Sequence, residues 1–251
     1  MIPDFLLPFA GQIKQLQLEA IRITPMPVTE GETLPVTRSK FLGNPFLPLG
    51  EQYPMDKEGQ PMILWAQIDF AALPASTLYP QQGMLQLFLP GIDWYEGEDY
   101  AIRYHPDTDV PHHTDFSFLT EDLYDESPVP MECALAFTAI TDNGAAIDSR
   151  FRISFNGLSY YDFQETLPKA QQEEMDRFFD STGHKIGGYA FFTQYDPRAD
   201  KELHKNDLLL FQMDSDELIN IGDSGVANVF ISAEALAARD FSKAWFTWDC
   251  C

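Results

Sequence analysis

Apolar and polar residues along this chain mostly alternate at a spacing of two, and fall near the helical spacing of 3.6 only at the start and in two later stretches. Phe5, Leu6, Phe9, Ile13, Leu16 and Ile21 keep the helical spacing, so an amphipathic opening helix is predicted over Asp4–Ala20 despite Pro8 and Gly11. It belongs to an N-terminal helical segment, 1–25, whose last part, Ile21–Thr24, alternates like a short strand. Strands are predicted at Ile63–Phe70, Gly83–Leu89, Ala101–Tyr104, Met131–Ile140, Phe151–Phe155, Leu208–Asp214, Val226–Ile231 and Ala244–Trp248. Helices are predicted over Pro168–Phe179, opening on a proline, and over Ala233–Arg239, with Ser232 as N-cap. The predicted class is α+β, mainly antiparallel sheet with a few flanking helices.

The strands recur in the same order. Lys40–Leu47 aligns with Lys185–Phe192 at an offset of 145 residues, and Gln67-Ile68-Asp69 aligns with Gln212-Met213-Asp214 at the same offset. Gly83–Leu89 aligns with Gly225–Ile231 at 142, and Ala101–Tyr104 with Trp245–Trp248 at 144. Four ordered blocks at a nearly constant offset predict a duplicated unit, about 38–107 and 183–251, with 108–182 as a connecting segment inside one domain, 1–251. Two such β-rich halves pack naturally about a pseudo-two-fold axis, which sets equivalent residues on opposite sides of a shared junction.

That junction collects the candidate chemistry. Strand alternation sends Gln67 and Asp69 to one face while Ala66, Ile68 and Phe70 take the other, and Gln212 with Asp214 repeats the pattern. A carboxylate among apolar neighbours needs a partner, and Lys40 and Lys185 are the expected counterions. His184 stands beside Lys185 and the pair Gly187-Gly188, as a candidate base or ligand with no phosphate-loop signature around it. Gly222-Asp223-Ser224-Gly225 lacks the nucleophile-elbow spacing and reads as a tight turn in which Asp223 supplies side-chain hydrogen bonds. Lys40, Gln67, Asp69, His184, Lys185, Gln212, Asp214 and Asp223 are therefore the candidate ligand-binding residues. The competing reading gives the same groups a purely structural hydrogen-bond network.

Composition narrows the functional classes. The 251 residues are 45% hydrophobic, enough for a sizeable core, and carry a formal charge of −23. Such a charge repels phosphate backbones and anionic lipid heads, so a basic protein is the favoured partner, not nucleic acid or a membrane. The acids concentrate between Asp93 and Glu126, where eleven of them face the single base Arg103 and share the stretch with His105, His112 and His113. No calcium-loop or zinc-helix spacing occurs there, so a solvated acidic connection, a divalent-cation site and a docking face are the three readings. No cofactor motif is found. Cys133, Cys250 and Cys251 make an odd set unsuited to a disulfide framework, and the first residues lack a secretory pattern, so a cytoplasmic location is expected.

The ordered motifs Ser39-Lys40-Phe41-Leu42-Gly43-Asn44-Pro45-Phe46-Leu47-Pro48, Trp65-Ala66-Gln67-Ile68-Asp69-Phe70, His184-Lys185-Ile186-Gly187-Gly188-Tyr189, Thr193-Gln194-Tyr195-Asp196-Pro197 and Gly222-Asp223-Ser224-Gly225 leading to Trp248-Asp249-Cys250 resemble the YwqG-like family over nearly the whole chain. The resemblance implies a bacterial, cytoplasmic α+β protein of unassigned biochemical function, with no catalytic residues to carry over. It also implies a link to immunity-type proteins, which suits an acidic binder. The expectation is a non-enzymatic acidic binding protein; the alternative is a small-ligand or enzymatic site at the junction of the halves.

Overall fold

The computed structural model describes residues 1–29 and 31–250, so Cys251 lies outside the described residues. Ten strands form one sheet: β1 (Leu18–Pro27), β2 (Lys40–Phe41), β3 (Ile63–Asp69), β4 (Met84–Leu89), β5 (Ala101–His105), β6 (Cys133–Asp142), β7 (Lys185–Gly187), β8 (Leu208–Asp214), β9 (Val226–Ile231) and β10 (Trp245–Asp249). Their order is β10-β9-β8-β7-β1-β6-β2-β3-β4-β5, and every pairing is antiparallel. The long strands β1 and β6 pair over ten residues at the centre. A four-stranded wing flanks them on each side, β2–β5 as the first and β7–β10 as the second.

The sheet curls until its two ends meet, as right-handed strand twist favours. Trp248 Nε1 donates to Tyr95 O at 2.9 Å, Trp248 and Trp94 lie 5.0 Å apart, and Tyr104 sits 4.3 Å from Phe241. The result is a nearly closed barrel whose interior holds one continuous core, including Ile23, Phe41, Trp65, Ile68 and Leu87 with Phe211, Met213, Val229 and Phe246. β3 shifts register between Leu64 and Ala66, and β8 between Leu209 and Phe211. These bulges turn Trp65 with Ala66, and Leu210 with Phe211, into the core in succession. After each bulge strict alternation resumes, so Gln67 and Gln212 face outward, as the pattern predicts.

Among the described residues, four α-helices flank the sheet: α1 (Ala10–Leu16), α2 (Tyr160–Glu165), α3 (Lys169–Phe178) and α4 (Ala233–Ala238). α1, the 3-10 turn before it (Asp4–Phe9) and the 145–179 region share a second core around Leu6, Ile13, Phe155 and Met175. Ser232 caps α4 by accepting from Ala235 N at 3.1 Å, as expected. Among the described residues, no helix is long and apolar enough to cross a membrane.

Three sequence expectations change. The opening helix ends at Leu16, not at Ala20 or within a helical segment reaching residue 25, because Gln17 is extended and Leu18–Pro27 forms the central strand paired on both sides. Sheet pairing there overrides the local helical spacing. Phe151–Phe155 does bury alternate residues, Phe151, Ile153 and Phe155, but it has only an isolated bridge at Phe155 and no ladder, so it is not a strand. α2 was not predicted, although Ser159 supplies its N-cap by accepting from Asp162 N at 3.2 Å.

Candidate functional site

The outward glutamines are fully buried beneath loops. Gln67 Oε1 accepts from Phe46 N at 2.8 Å, and its Nε2 donates to Val36 O and Arg38 O at 2.7 and 2.8 Å. Gln212 Oε1 accepts from Phe191 N at 2.8 Å, and its Nε2 donates to Ser181 O and Gly183 O at 3.0 and 2.8 Å. Each side chain thus satisfies three backbone groups of the chain folded over it, which would otherwise be buried without partners.

The aspartates differ. Asp69 caps the turn after β3 by accepting from Ala71 N at 3.0 Å, and its own amide donates to Ser39 Oγ at 2.9 Å. Asp214 is buried and accepts from Gly183 N and Ser215 N at 2.6 and 2.9 Å, while burial holds its carboxyl above the usual range. The Asp214 amide donates to His184 Nδ1 at 3.1 Å, so the other ring nitrogen carries the proton and donates to Asp216 Oδ2 at 3.0 Å. Both nitrogens of His184 are occupied.

The lysines do not pair with the Gln-x-Asp aspartates. Lys40 Nζ donates to Glu132 Oε1 at 2.7 Å and to the carbonyls of Leu34 and Asn44, and Lys185 Nζ donates to Asp142 Oδ2 at 2.9 Å. Burial lowers the pKa of both lysines, against the pull of these carboxylates. The acids flank or end β6, beyond the reach of local sequence spacing. Gly43 and Gly188 lie beside them at positive φ (+82° and +75°), and an added Cβ would stand 2.3 Å from Glu132 Oε1 and 2.5 Å from Asp142 Oδ2. Glycine is required at both positions by conformation and by space.

Asp223 is exposed in the turn before β9 and makes no side-chain hydrogen bond among the described residues; Asn220 Oδ1, 3.4 Å from Ser224 N, serves the turn instead. The structure therefore brings Gln212, Asp214, His184 and Lys185 together on the second wing and Lys40, Gln67 and Asp69 on the first, while Asp223 stands apart. None of the eight lines the cavities described next.

The first cavity, about 330 Å³, opens between the Asp56–Pro61 loop and the turn at Asp93–Gly97. Asp56, Glu58, Asp93, Glu96, Asp99 and Asp122 line it with one base, Lys57, which pairs with Glu96 at 2.7 Å. The histidines of the acidic stretch are not gathered there. His105 Nε2 meets Gln86 Oε1 at 2.9 Å, and His112 Nδ1 lies 3.1 Å from Val110 O. Among the described residues, no three His, Cys, Asp or Glu side chains form a metal-holding group.

A second cavity, about 380 Å³, lies on the other side of the same turn, where the two ends of the sheet meet. Its lining includes Tyr95, Phe192, Tyr195, Trp248, Asn228 and Asp249. The loop carrying Tyr195 is anchored by fully buried Arg198, which binds Asp196 Oδ2 at 2.7 Å and Asp148 Oδ2 at 2.9 Å. Neither this network nor the cavity was foreseen. The Thr193–Pro197 motif marked the loop, but nothing local marked Asn228 or Asp148.

A comparison with curated proteins found no match. The sequence profile described as Domain of unknown function (DUF1963) matches residues 39–250, which span β2 to β10 and contain both wings and both cavities. The match is to a family of unknown function, as the sequence resemblance implies, and does not extend to the YwqG-like name. With most of its length inside that profile, the chain belongs to the DUF1963 family.

Proposed function

We propose that this is a non-enzymatic binding protein whose acidic face meets a basic protein partner. The observation that carries the reading is the first cavity, where six carboxylates face one ammonium that is itself already paired. Those carboxylates spread along both walls instead of converging on one point, so a chain of Lys and Arg side chains meets more of them than a single ion would. The net charge of −23 adds a field that speeds the approach of such a partner.

The two wings are, on this reading, copies of one unit. Hydrogen bonds at an offset of 145 residues support it: Gln67 to Val36, Arg38 and Phe46, against Gln212 to Ser181, Gly183 and Phe191. Lys40, Gln67, Asp69, His184, Lys185, Gln212 and Asp214 then serve to pin loops onto strands, and not to hold a ligand at a junction. Support comes from the burial and hydrogen-bonding partners of all but Asp69, which is half-buried and caps a turn.

The test compares two variants of equal net charge that differ in where the charge is removed. Asp93→Asn, Glu96→Gln and Asp99→Asn combined should weaken binding of a Lys/Arg-rich peptide by about tenfold or more at low salt. Glu165→Gln, Glu173→Gln and Glu174→Gln, exposed on or beside α2 and α3, remove the same charge elsewhere. Equal losses in the two triple variants would mean that the peptide senses only net charge, and would refute the docking face.

A further inference from the structure

We infer that the second cavity binds a guanidinium group, an arginine side chain presented by the basic partner. The inference rests on the binding role proposed above and gives that partner a specific anchor.

Among the described residues, two acceptors on side chains that line this cavity lack donors. Asn228 is fully buried; its Nδ2 donates to Phe191 O at 2.9 Å, and its Oδ1 has no partner. Asp249 Oδ2 accepts from Thr193 N and Gln194 N at 2.9 and 2.8 Å, and its buried Oδ1 has no partner. Native proteins leave few buried polar atoms in this state, and those left over mark a place for a ligand or an ion. Both atoms are acceptors, so the missing group must donate hydrogen bonds. One belongs to a carboxyl that burial holds above its usual range despite the two amides and the Thr193 hydroxyl, so a positive donor gains most there.

The walls select the kind of cation. Tyr95, Phe192, Tyr195 and Trp248 surround the cavity, and Tyr195 is 57% exposed at its mouth. A guanidinium is flat and weakly hydrated. Its faces stack on aromatic rings while its edge presents N–H donors in a fork suited to a carboxylate and a neighbouring carbonyl. A compact ammonium matches the acceptors but not the stack. The cavity falls within the volume range of small-molecule sites. It is also continuous with the acidic face: Tyr95 on its wall bonds through its hydroxyl to Asp93, which lines the first cavity. A basic segment lying along the acids therefore passes beside the aromatic cavity.

The probe is N-acetyl-arginine amide, titrated into the full chain by calorimetry, beside N-acetyl-citrulline amide, its neutral isostere. Arginine amide should bind with a dissociation constant of about 1 mM or tighter, and citrulline amide at least about tenfold more weakly. Asp249→Asn should weaken arginine amide by about tenfold, and Tyr195→Ala by about threefold with an unchanged melting temperature, since Tyr195 is a surface residue. Equal binding of the two amides, no heat from either at about 10 mM, or unchanged affinity in Asp249→Asn would overturn the inference. Loss of arginine-amide binding with retained, site-dependent peptide binding would remove this anchor and leave the docking face. Free arginine binding about tenfold better than the blocked amide would confirm a guanidinium site but identify a small molecule, and so refute the protein partner.

Discussion

On the first wing, His105 Nε2 donates to Gln86 Oε1, and the chain at Pro111–His113 bonds to Leu47 and Leu49, covering the outer face. On the second wing, Asn228 takes the register position of Gln86, and Asp249 takes that of His105. A carboxylate now stands where the first wing has a donor, so Asn228 Oδ1 is unpaired among the described residues and a cavity opens beside it. Strand pairings, bulges and the buried glutamine are the same on both sides. The frame is held by what the wings share; the proposed binding site arises where they differ.

The largest effects test the shared frame. Gln67→Leu and Gln212→Leu each strand two buried carbonyls and one amide, and each should cost about 3–5 kcal/mol in urea denaturation. Gln67 should cost slightly more, since its Oε1 also accepts from Gln86 Nε2 at 2.7 Å. If one substitution were nearly silent, the wings would not be held by equivalent bonds.

Gly43→Ala and Gly188→Ala come next, at about 2–4 kcal/mol each, because each adds a Cβ against a carboxylate in a left-handed backbone. Matching losses in melting temperature would sharpen the equivalence; tolerance of either alanine would break it.

Acid separates the wings. Beside the second, Asp148 of the segment between β6 and β7 binds Arg198; burial acts to raise its carboxyl, but Arg150 and Arg198 hold it below the ordinary carboxylate range. A depressed carboxyl stabilises the fold above its unfolded-state pKa, and that contribution disappears as pH falls through the lower folded value. Asp148→Asn should therefore cost about 2 kcal/mol at pH 7 and much less near pH 2, flattening the acid limb of a stability–pH curve. A cost independent of pH would assign the residue to packing alone.

The smallest effect has the opposite sign. Asp249 is raised by burial, so its stability cost grows as pH climbs from about 4 through the raised folded value. Asp249→Asn should stabilise the protein at pH 7 by about 0.5–1 kcal/mol while weakening cation binding, the exchange expected where a site is kept at the expense of stability. A loss of similar size in thermal melts would mean that the carboxylate serves the fold.

Much of the sheet was legible because alternation records which face of a strand is buried, and Val226–Ile231 and Leu208–Asp214 match their predicted bounds. Of β1 only Ile21–Thr24 was legible, since its partners lie more than a hundred residues away and the residues before it keep a helical spacing. Gln67 and Gln212 stood out as polar residues in apolar strands, but their loop partners are set by tertiary folding. The lysines' acids, Glu132 and Asp142, were missed for the same reason. The second cavity was hardest to read: Asn228 and Asp249 become informative only when their places are compared with Gln86 and His105.

The most direct measurement is the side-chain amide resonance of Asn228, followed by NMR as N-acetyl-arginine amide is added, with that of Gln86 as the internal control. Saturable movement of the Asn228 signal with a stationary Gln86 signal is the predicted result. A stationary Asn228 signal, or equal movement of both, would contradict a binding site confined to the second wing.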